Sequence, residues 1–246
     1  MELIRHDDGT CVLTMDEGKA NAMSPAFLAA MDEALDSIEA SAPRGVVLTG
    51  AGRHFCAGLD LAGLDALPRA DMDAFVCAFE RTLLRWFRLS IPVVAAVNGN
   101  AIAGGCVLAA CADHRVAATG EYWVGLNEVR LNVSLPSVAL EAPRLLLSPR
   151  AFRTAALEGD LVRPDRALEL GMVDELVLSG DLPSAASAAL ERLCRSPGPA
   201  FAVVKREVRR EADRSIERDG ATARARFVEL WFSDEARRCR REVLAR

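Results

Sequence analysis

The chain has 246 residues, of which 51% are hydrophobic, 26% are charged and 5% are aromatic, and its formal net charge is −5. This length suits one α/β domain or a domain with an appendage, and the composition excludes disordered and collagenous proteins. The acidic total argues against sequence-independent binding to duplex DNA. Three histidines are too few for a metal site built on several of them.

The cysteines and the first residues bear on the cellular compartment. Seven cysteines are present, no two are spaced as C-x-x-C, and several lie in apolar surroundings, which is typical of free thiols in a reducing compartment. The start, MELIRHDD, has no apolar signal core, and no apolar run approaches the ~20 residues of a membrane helix. We therefore expect a cytoplasmic protein that does not bind a membrane.

Short buried strands alternate with helices in the first half of the chain. Apolar runs predict strands over 11–16, 45–50, 93–98, 115–118 and 122–124. Helical spacing predicts helices from Ser24-Pro25 to Pro43, over 71–89 and over 104–111. This alternation indicates an α/β core.

The second half is predicted to be mostly helical. Helices are expected over 137–147, 149–157, 164–170 and 183–194, with a last strand over 171–178. The segment Ser196-Pro197-Gly198-Pro199 is the strongest linker signal. Residues 200–246 are arginine-rich and predicted to be helical, with a break at Asp219-Gly220.

Two segments that follow strands have the small residues of a ligand-binding loop. Residues 53–61 (RHFCAGLDL) follow one buried strand, and residues 98–106 (NGNAIAGGC) follow the next. Small residues allow a ligand close to the backbone N–H groups, so two such loops can form a paired-donor oxyanion hole. The alternative is that the glycines only permit tight turns and packing. A dinucleotide-binding loop is disfavoured, because Phe55 stands where its third glycine belongs.

Four segments in order along the chain carry a family resemblance. They are 50–61 (GAGRHFCAGLDL), 91–106 (IPVVAAVNGNAIAGGC), 112–118 (ADHRVAA) and 125–129 (GLNEV). The arrangement resembles the crotonase superfamily, that is, the enoyl-CoA hydratase/isomerase family. Residues 18–23 (GKANAM) resemble its N-terminal CoA-site segment, and 227–238 (FVELWFSDEARR) resemble its C-terminal helical signature.

The resemblance implies a crotonase-like spiral of ββα units with a C-terminal helical trimerisation region, assembled as trimers or paired trimers (hexamers). Residues 1–195 would form the acyl-CoA-binding core and residues 196–246 the C-terminal helical region. The implied substrate is an acyl-CoA thioester, with coenzyme A as part of the substrate, no separate cofactor and no metal. Its carbonyl oxygen would lie between the backbone N–H groups of Leu59 and Gly104. The remaining positions implied for substrate binding are Lys19, Ala20, Ala22, Ala57, Gly58, Asp60, Leu61 and Gly105.

The acid–base residues indicate which reaction the resemblance implies. Family hydratases use two glutamates, and the first of these positions is Val107 here, whereas the second is Glu128. One glutamate beside an oxyanion hole is the arrangement of family Δ3,Δ2-enoyl-CoA isomerases, so we expect Glu128 to move a proton from C2 to C4. From the residues alone, the alternative is that Glu128 forms an ion pair with Arg130.

Other features depart from the family pattern or favour other functions. Ala62 replaces a basic residue common in the family, and residues 131–140 lack the glycine-rich form of hydratases. The alternatives are therefore an atypical hydratase, another enolate chemistry such as thioester cleavage, or an inactive acyl-CoA-binding protein. A nucleic-acid partner is disfavoured, because Arg206, Arg209, Arg210 and Arg214 are more typical of an exposed, ion-paired helix face.

Overall fold

The computed structural model describes residues 1–196 and 199–245. Its main sheet has the strand order β1-β2-β3-β5-β7-β9, and a smaller sheet has the order β4-β6-β8. All pairs of neighbouring strands are parallel except the antiparallel pair β1–β2. The strands are β1 (Glu2–Arg5), β2 (Thr10–Met15), β3 (Gly45–Gly50), β4 (His54–Cys56), β5 (Val93–Val97), β6 (Asn100–Ile102), β7 (His114–Ala118), β8 (Val124–Gly125) and β9 (Glu175–Val177).

The helices cover both faces of the main sheet. They are α1 (Pro25–Ser41), α2 (Leu61–Asp65), α3 (Arg69–Arg88), α4 (Gly104–Ala110), α5 (Ser137–Leu146), α6 (Pro149–Glu158), α7 (Pro164–Leu170), α8 (Leu182–Leu193), α9 (Ala200–Trp231) and α10 (Asp234–Leu244). One hydrophobic core lies between the sheet and α1, α3, α4, α5 and α9, and a smaller one lies under α8 on the opposite face.

The same ββα order occurs three times along the chain. A strand of the main sheet is followed by a short strand of the smaller sheet and then by helix, as in β3–β4–α2, β5–β6–α4 and β7–β8–α5. Because neighbouring strands are parallel, the carboxyl ends of β4, β6 and β8 lie at one edge of the smaller sheet. The predicted α/β class and ββα repeat are confirmed, and the loops after these strands meet there.

The prediction of a helix break at Asp219-Gly220 was wrong. Helix α9 is continuous through Gly220 and ends at Trp231, after which Ser233 caps α10. A glycine inside a helix costs about 1 kcal/mol, which tertiary contacts can offset. On either side of Gly220, Arg88 of α3 pairs with Asp213 and Arg224 pairs with Glu80 of α3.

A second correction concerns Arg209, which was expected on an exposed face but is buried. Its guanidinium donates to the backbone carbonyls of Cys111 (3.0 Å) and Ala112 (3.2 Å) and pairs with Asp113 at 2.8 Å. Lys205 also pairs with Asp113, at 2.7 Å, although burial lowers the pKa of Lys205 to about 8. These contacts attach the start of α9 to the sheet.

Two sequence predictions, the linker at 196–199 and the division of the chain at 195/196, are not tested by the structure. Helix α8 ends at Leu193 and α9 begins at Ala200, but Pro197 and Gly198 of the predicted linker lie outside the described residues. The division of the chain at 195/196 stays a prediction.

Among residues 1–196 and 199–245, no helix combines the length and apolar character that crossing a bilayer requires.

Candidate active site

An apolar cavity of about 260 Å³ lies where the loops after β4, β6 and β8 meet α3, α5 and α9. Two polar side chains, Asn127 and Glu128, line it, and the other side chains of the lining are apolar. The lining is Ala57, Leu59, Leu61, Phe75, Val76, Phe79, Ile102, Ala103, Gly104, Asn127, Glu128, Leu131, Val133, Pro136, Ala139, Leu161, Phe227, Trp231 and Val243. A concave apolar cavity with a few polar groups is typical of a small-molecule site.

The loop after β4 presents an N–H group to this cavity. Two amides of this loop are engaged, because Ala57 N donates to Ala20 O (3.1 Å) and Asp60 N donates to Met23 O (3.0 Å). Leu59 N, between them, donates to no described residue, although Leu59 lines the cavity. Gly58 N likewise has no backbone acceptor among the described residues, so the loop leaves backbone donors free for a ligand, that of Leu59 among them.

The loop after β6 presents a second N–H group. Ala103 N donates to Gly125 O (2.8 Å), whereas Gly104 N, at the first position of α4, has no acceptor among the described residues. Ala103 adopts φ 50° and ψ −119°, a region that residues other than glycine rarely occupy. Such backbone strain is concentrated at functional sites.

The glycines bring the two loops close together. A Cβ on Gly58, whose φ is +86°, would lie 2.8 Å from Ile102 O and 3.5 Å from Gly104 N. A Cβ on Gly105 would lie 2.1 Å from Cys56 O. The glycines therefore permit close loop packing, which was the alternative reading of these segments, and the same packing places two free N–H groups at one cavity.

Glu128 supplies a buried carboxyl group to the cavity. It begins a 3₁₀ turn (Glu128–Leu131) just after β8, and only 9% of its surface is exposed. Its Oε2 atom is buried and has no hydrogen-bond partner in the described part of the chain. Burial raises the pKa of Glu128 to about 7, although the N–H groups of Glu128 and Asn127 partly oppose this shift.

The predicted alternative for Glu128, an ion pair with Arg130, is not formed. The guanidinium of Arg130 instead pairs with Asp160 and donates to Glu158 O (3.0 Å). Val107 stands at the position where family hydratases have their other glutamate. It is fully buried in the core and does not line the cavity. Glu128 is therefore the one titratable side chain of the lining described above.

Some of the residues predicted for substrate binding do not line the cavity. Ala57 and Leu61 line it, but the exposed Lys19 and its neighbours Ala20 and Ala22 lie beside the loop instead. Asp60 accepts from Gly63 N (3.2 Å) and so caps α2. Gly58 and Gly105 contribute through loop packing.

Asn127 and the helical residues of the lining were not predicted from the sequence. Asn127 Oδ1 is buried without a partner among the described residues, which is rare enough in folded proteins to need an explanation. A polar residue between Leu126 and Glu128 in an apolar segment was an available signal for it. No comparable signal marked the aromatic residues of the lining, because their helical spacing assigns them to the core. These residues are Phe75, Phe79, Phe227 and Trp231.

Comparison with known proteins identifies close relatives of this arrangement. A family model described as Enoyl-CoA hydratase/isomerase matches residues 5–243. The human protein named enoyl-CoA delta isomerase 1, mitochondrial, is 30% identical over 205 residues, which are 82% of this chain and 68% of the human one.

Solved structures are similar along nearly the whole chain. The crystal structure of human mitochondrial Δ3-Δ2-enoyl-CoA isomerase has a TM-score of 0.93 at 26% identity and covers 100% of this chain and 97% of that chain. An enoyl-CoA hydratase from Mycobacterium marinum has a TM-score of 0.84 at 31% identity, with 92% and 98% covered. These similarities confirm the predicted crotonase-like fold.

Proposed function

The chain belongs to the enoyl-CoA hydratase/isomerase family and is an acyl-CoA enzyme, and from this premise we propose that it isomerises 3-enoyl-CoA to 2-enoyl-CoA. One observation carries the proposal: a single buried carboxyl group, Glu128, lines an apolar cavity together with the free N–H groups of Leu59 and Gly104. Moving a double bond needs one group that takes up and returns a proton, and one site for the negative charge formed meanwhile.

The first step is removal of a proton from C2. The Glu128 carboxylate takes this proton, and the electrons of the C2–H bond form a dienolate whose charge rests on the thioester oxygen. The N–H groups of Leu59 and Gly104 donate to that oxygen. In related sites, loss of one such donor costs about 3–4 kcal/mol of barrier.

The second step returns the same proton at C4. The electrons of the C3–C4 double bond take it up, the electrons of the C1–C2 double bond of the dienolate form the C2–C3 double bond, and the oxygen lone pair re-forms the thioester carbonyl. Glu128 is again a carboxylate. A pKa of about 7 lets Glu128 accept a proton at neutral pH and release it again. The apolar lining keeps competing proton donors away from the dienolate.

The direct test is turnover of a 3-enoyl-CoA, followed by the absorbance of the conjugated thioester. Glu128→Gln removes the acid–base group and is expected to lower kcat by about a thousandfold, within the range for general acid–base catalysis. Glu141→Gln is the matched control, because Glu141 is also buried but contacts Arg144 (2.7 Å) and Ser215 (3.2 Å) outside the cavity. Equal turnover by wild type and Glu128→Gln would reject this role for Glu128.

A second candidate activity, hydration of 2-enoyl-CoA, is favoured by the pair of unpartnered oxygens in the lining. Asn127 Oδ1 and Glu128 Oε2 are both buried acceptors without donors in the described ranges. A water molecule carries two donors and can satisfy such groups. Loss of 2-enoyl absorbance without formation of a 3-enoyl product would identify this activity, and binding without turnover would identify an inactive acyl-CoA-binding protein.

We also propose that no cofactor is needed besides the coenzyme A of the substrate, since the proposed steps use one carboxyl group and two amides. Self-association into trimers or paired trimers is supported by exposed apolar side chains, including Val204 and Val208 one turn apart on α9. Light scattering after gel filtration tests the assembly. A reducing compartment such as the cytoplasm suits the seven free cysteines.

A further inference from the structure

The exposure of the lining residues distinguishes a mouth and a floor of the cavity. Leu59, Leu61, Ile102 and Leu161 are half-buried, and Val243 is 44% exposed. The floor is the buried part of the lining, with exposures of 5% or less, and includes Phe75, Val76, Phe79, Ala139, Phe227 and Trp231. An acyl chain that enters the cavity therefore contacts the buried aromatic residues of α3 and α9.

The aromatic residues of the floor are fixed in position by contacts with each other and with Arg240. The rings of Phe227 and Trp231 stack with centroids 5.8 Å apart. Arg240, which is 1% exposed, lies over the Trp231 ring at 4.0 Å, donates to Trp231 O (2.8 Å) and pairs with Asp65 at 2.7 Å. These contacts fix the position of the Trp231 ring, so a longer chain cannot displace it without disturbing the buried guanidinium of Arg240 and its contacts.

The volume of the cavity then limits the length of the chain. A cavity of roughly 150 Å³ lined by Leu, Ile and Phe holds one benzene molecule, that is, six carbons. By this proportion the 260 Å³ of this cavity holds about ten non-hydrogen atoms, which include the thioester carbonyl. The one polar atom on a floor side chain is the indole Nε1 of Trp231, which is buried and has no hydrogen-bond partner among the described residues.

We propose that the site selects medium-length acyl chains of about eight to ten carbons, with Phe227 and Trp231 of α9 as the stop. This inference rests on the proposed acyl-CoA site and adds its substrate class. The long helix α9 is then the element that sets chain length.

Binding of saturated acyl-CoA esters tests the limit on chain length independently of catalysis, because these esters have no double bond to move. Calorimetry with chains from four to about sixteen carbons is expected to show affinity rising up to about fourfold for each methylene, because each buried CH₂ contributes about 0.8 kcal/mol. The rise is expected to end near ten carbons. Affinity that increases steadily to sixteen carbons would overturn the proposal.

Two variants move the stop in opposite directions. Ala139→Leu adds three carbons to the lining and should lower the optimal length by about three carbons, by the same volume proportion. Val133→Ala removes two carbons and should raise it by about two. Ala188→Leu, the same substitution at an exposed position on α8, is the matched control and should leave the optimum unchanged. An optimum unmoved in both folded cavity variants would overturn the proposal.

Turnover of a 3-enoyl-CoA series separates this inference from the proposed function. Isomerisation with equal kcat/KM at all lengths would reject the stop and keep the isomerase. Length-dependent binding of saturated esters without isomerisation would keep the stop and reject the isomerase. An optimum of kcat/KM at eight to ten carbons, falling at least about tenfold by fourteen, supports both.

Discussion

Arg130 binds the carboxylate of Asp160, and so Glu128, two residues earlier, keeps no cationic partner among the described residues. The 3₁₀ turn that begins at Glu128 directs the guanidinium outward, where Arg130 is exposed, and the carboxyl group inward. A neighbouring cation would have lowered the pKa of Glu128, so this separation is what allows burial to raise it.

The first prediction concerns the pH dependence of turnover. Because the base must be ionised in the free enzyme and its pKa is about 7, kcat/KM should be constant above that pH and fall about tenfold per unit below it. The measurement is a rate profile with one 3-enoyl-CoA between about pH 5.5 and 8.5. A flat profile over this range would contradict Glu128 as the base.

The second prediction concerns stability. Burial raises the pKa of Glu128 from its ordinary 4.5 to about 7, so between these values the folded protein holds a proton that the unfolded chain has lost. The free energy of unfolding therefore falls as pH rises through this window, by roughly 3 kcal/mol from this group, and the contribution is constant above it. Denaturant titrations should show Glu128→Gln gaining stability over wild type by that amount between pH 4.5 and 7. A pH-independent difference would show that the pKa is not raised.

The third prediction uses two glycines with the same backbone requirement. Gly58 (φ +86°) and Gly52 (φ +67°) both have positive φ, but a Cβ on Gly58 meets Ile102 O at 2.8 Å, whereas one on Gly52 meets no atom of the described residues within 4 Å. Gly58→Ala should separate the two donor loops and lower kcat/KM by about a hundredfold. Gly52→Ala bears similar strain and should stay within about twofold. Similar kinetics for both variants would disprove the loop argument.

The fourth prediction concerns Asn127. Its Oδ1 atom has no donor within the described residues, so Asn127→Leu should leave the free energy of unfolding unchanged or raise it by up to about 1 kcal/mol. The same variant should lower kcat/KM at least about tenfold, if the missing donor is a ligand or bound water. In contrast, Asn100 Oδ1 accepts from Trp123 N (2.8 Å), and Asn100→Leu should cost about 1–3 kcal/mol. Full activity in Asn127→Leu would show that this amide has no part in the site.

The fifth prediction concerns the attachment of α9. Asp113 is the shared partner of Lys205 and Arg209, so Asp113→Asn leaves two buried cations unpaired and should cost about 3–5 kcal/mol. Asp219→Asn is the control, because its ion pair with Arg218 is exposed, and no measurable change is expected. Equal melting temperatures for Asp113→Asn and wild type would contradict the structural role of this cluster.

Much of the fold was predictable because its signals are local. The buried run 45–50 and the Ser24-Pro25 cap correspond to β3 and α1, and Ser24 Oγ accepts from Phe27 N at 3.1 Å. The three-residue strands β4 and β6 were not predicted, because strands this short are defined by their pairing with distant residues.

The residues of the candidate site were also only partly predictable from the sequence. The resemblance pointed to Glu128, Leu59 and Gly104, and the structure places all three at one cavity. The acyl-facing residues Phe227 and Trp231 could not be found by periodicity, since a residue that faces a cavity and one that faces the core share the same helical spacing. Arg209 was misjudged because a charged residue on a long polar helix gives no sign of the carbonyl groups it will meet.

The ion pair between Arg240 and Asp65 also has a kinetic consequence for folding. The two residues are 175 positions apart, and their ion pair joins α10 to α2. The same guanidinium lies over the ring of Trp231. Closing so long a loop is entropically costly and slows folding, so the cavity is expected to gain its floor only after the sheet has formed. Refolding followed by Trp231 fluorescence, with Trp86 and Trp123 replaced, should therefore lag behind the recovery of secondary structure, and acyl-CoA binding should return with the slower phase.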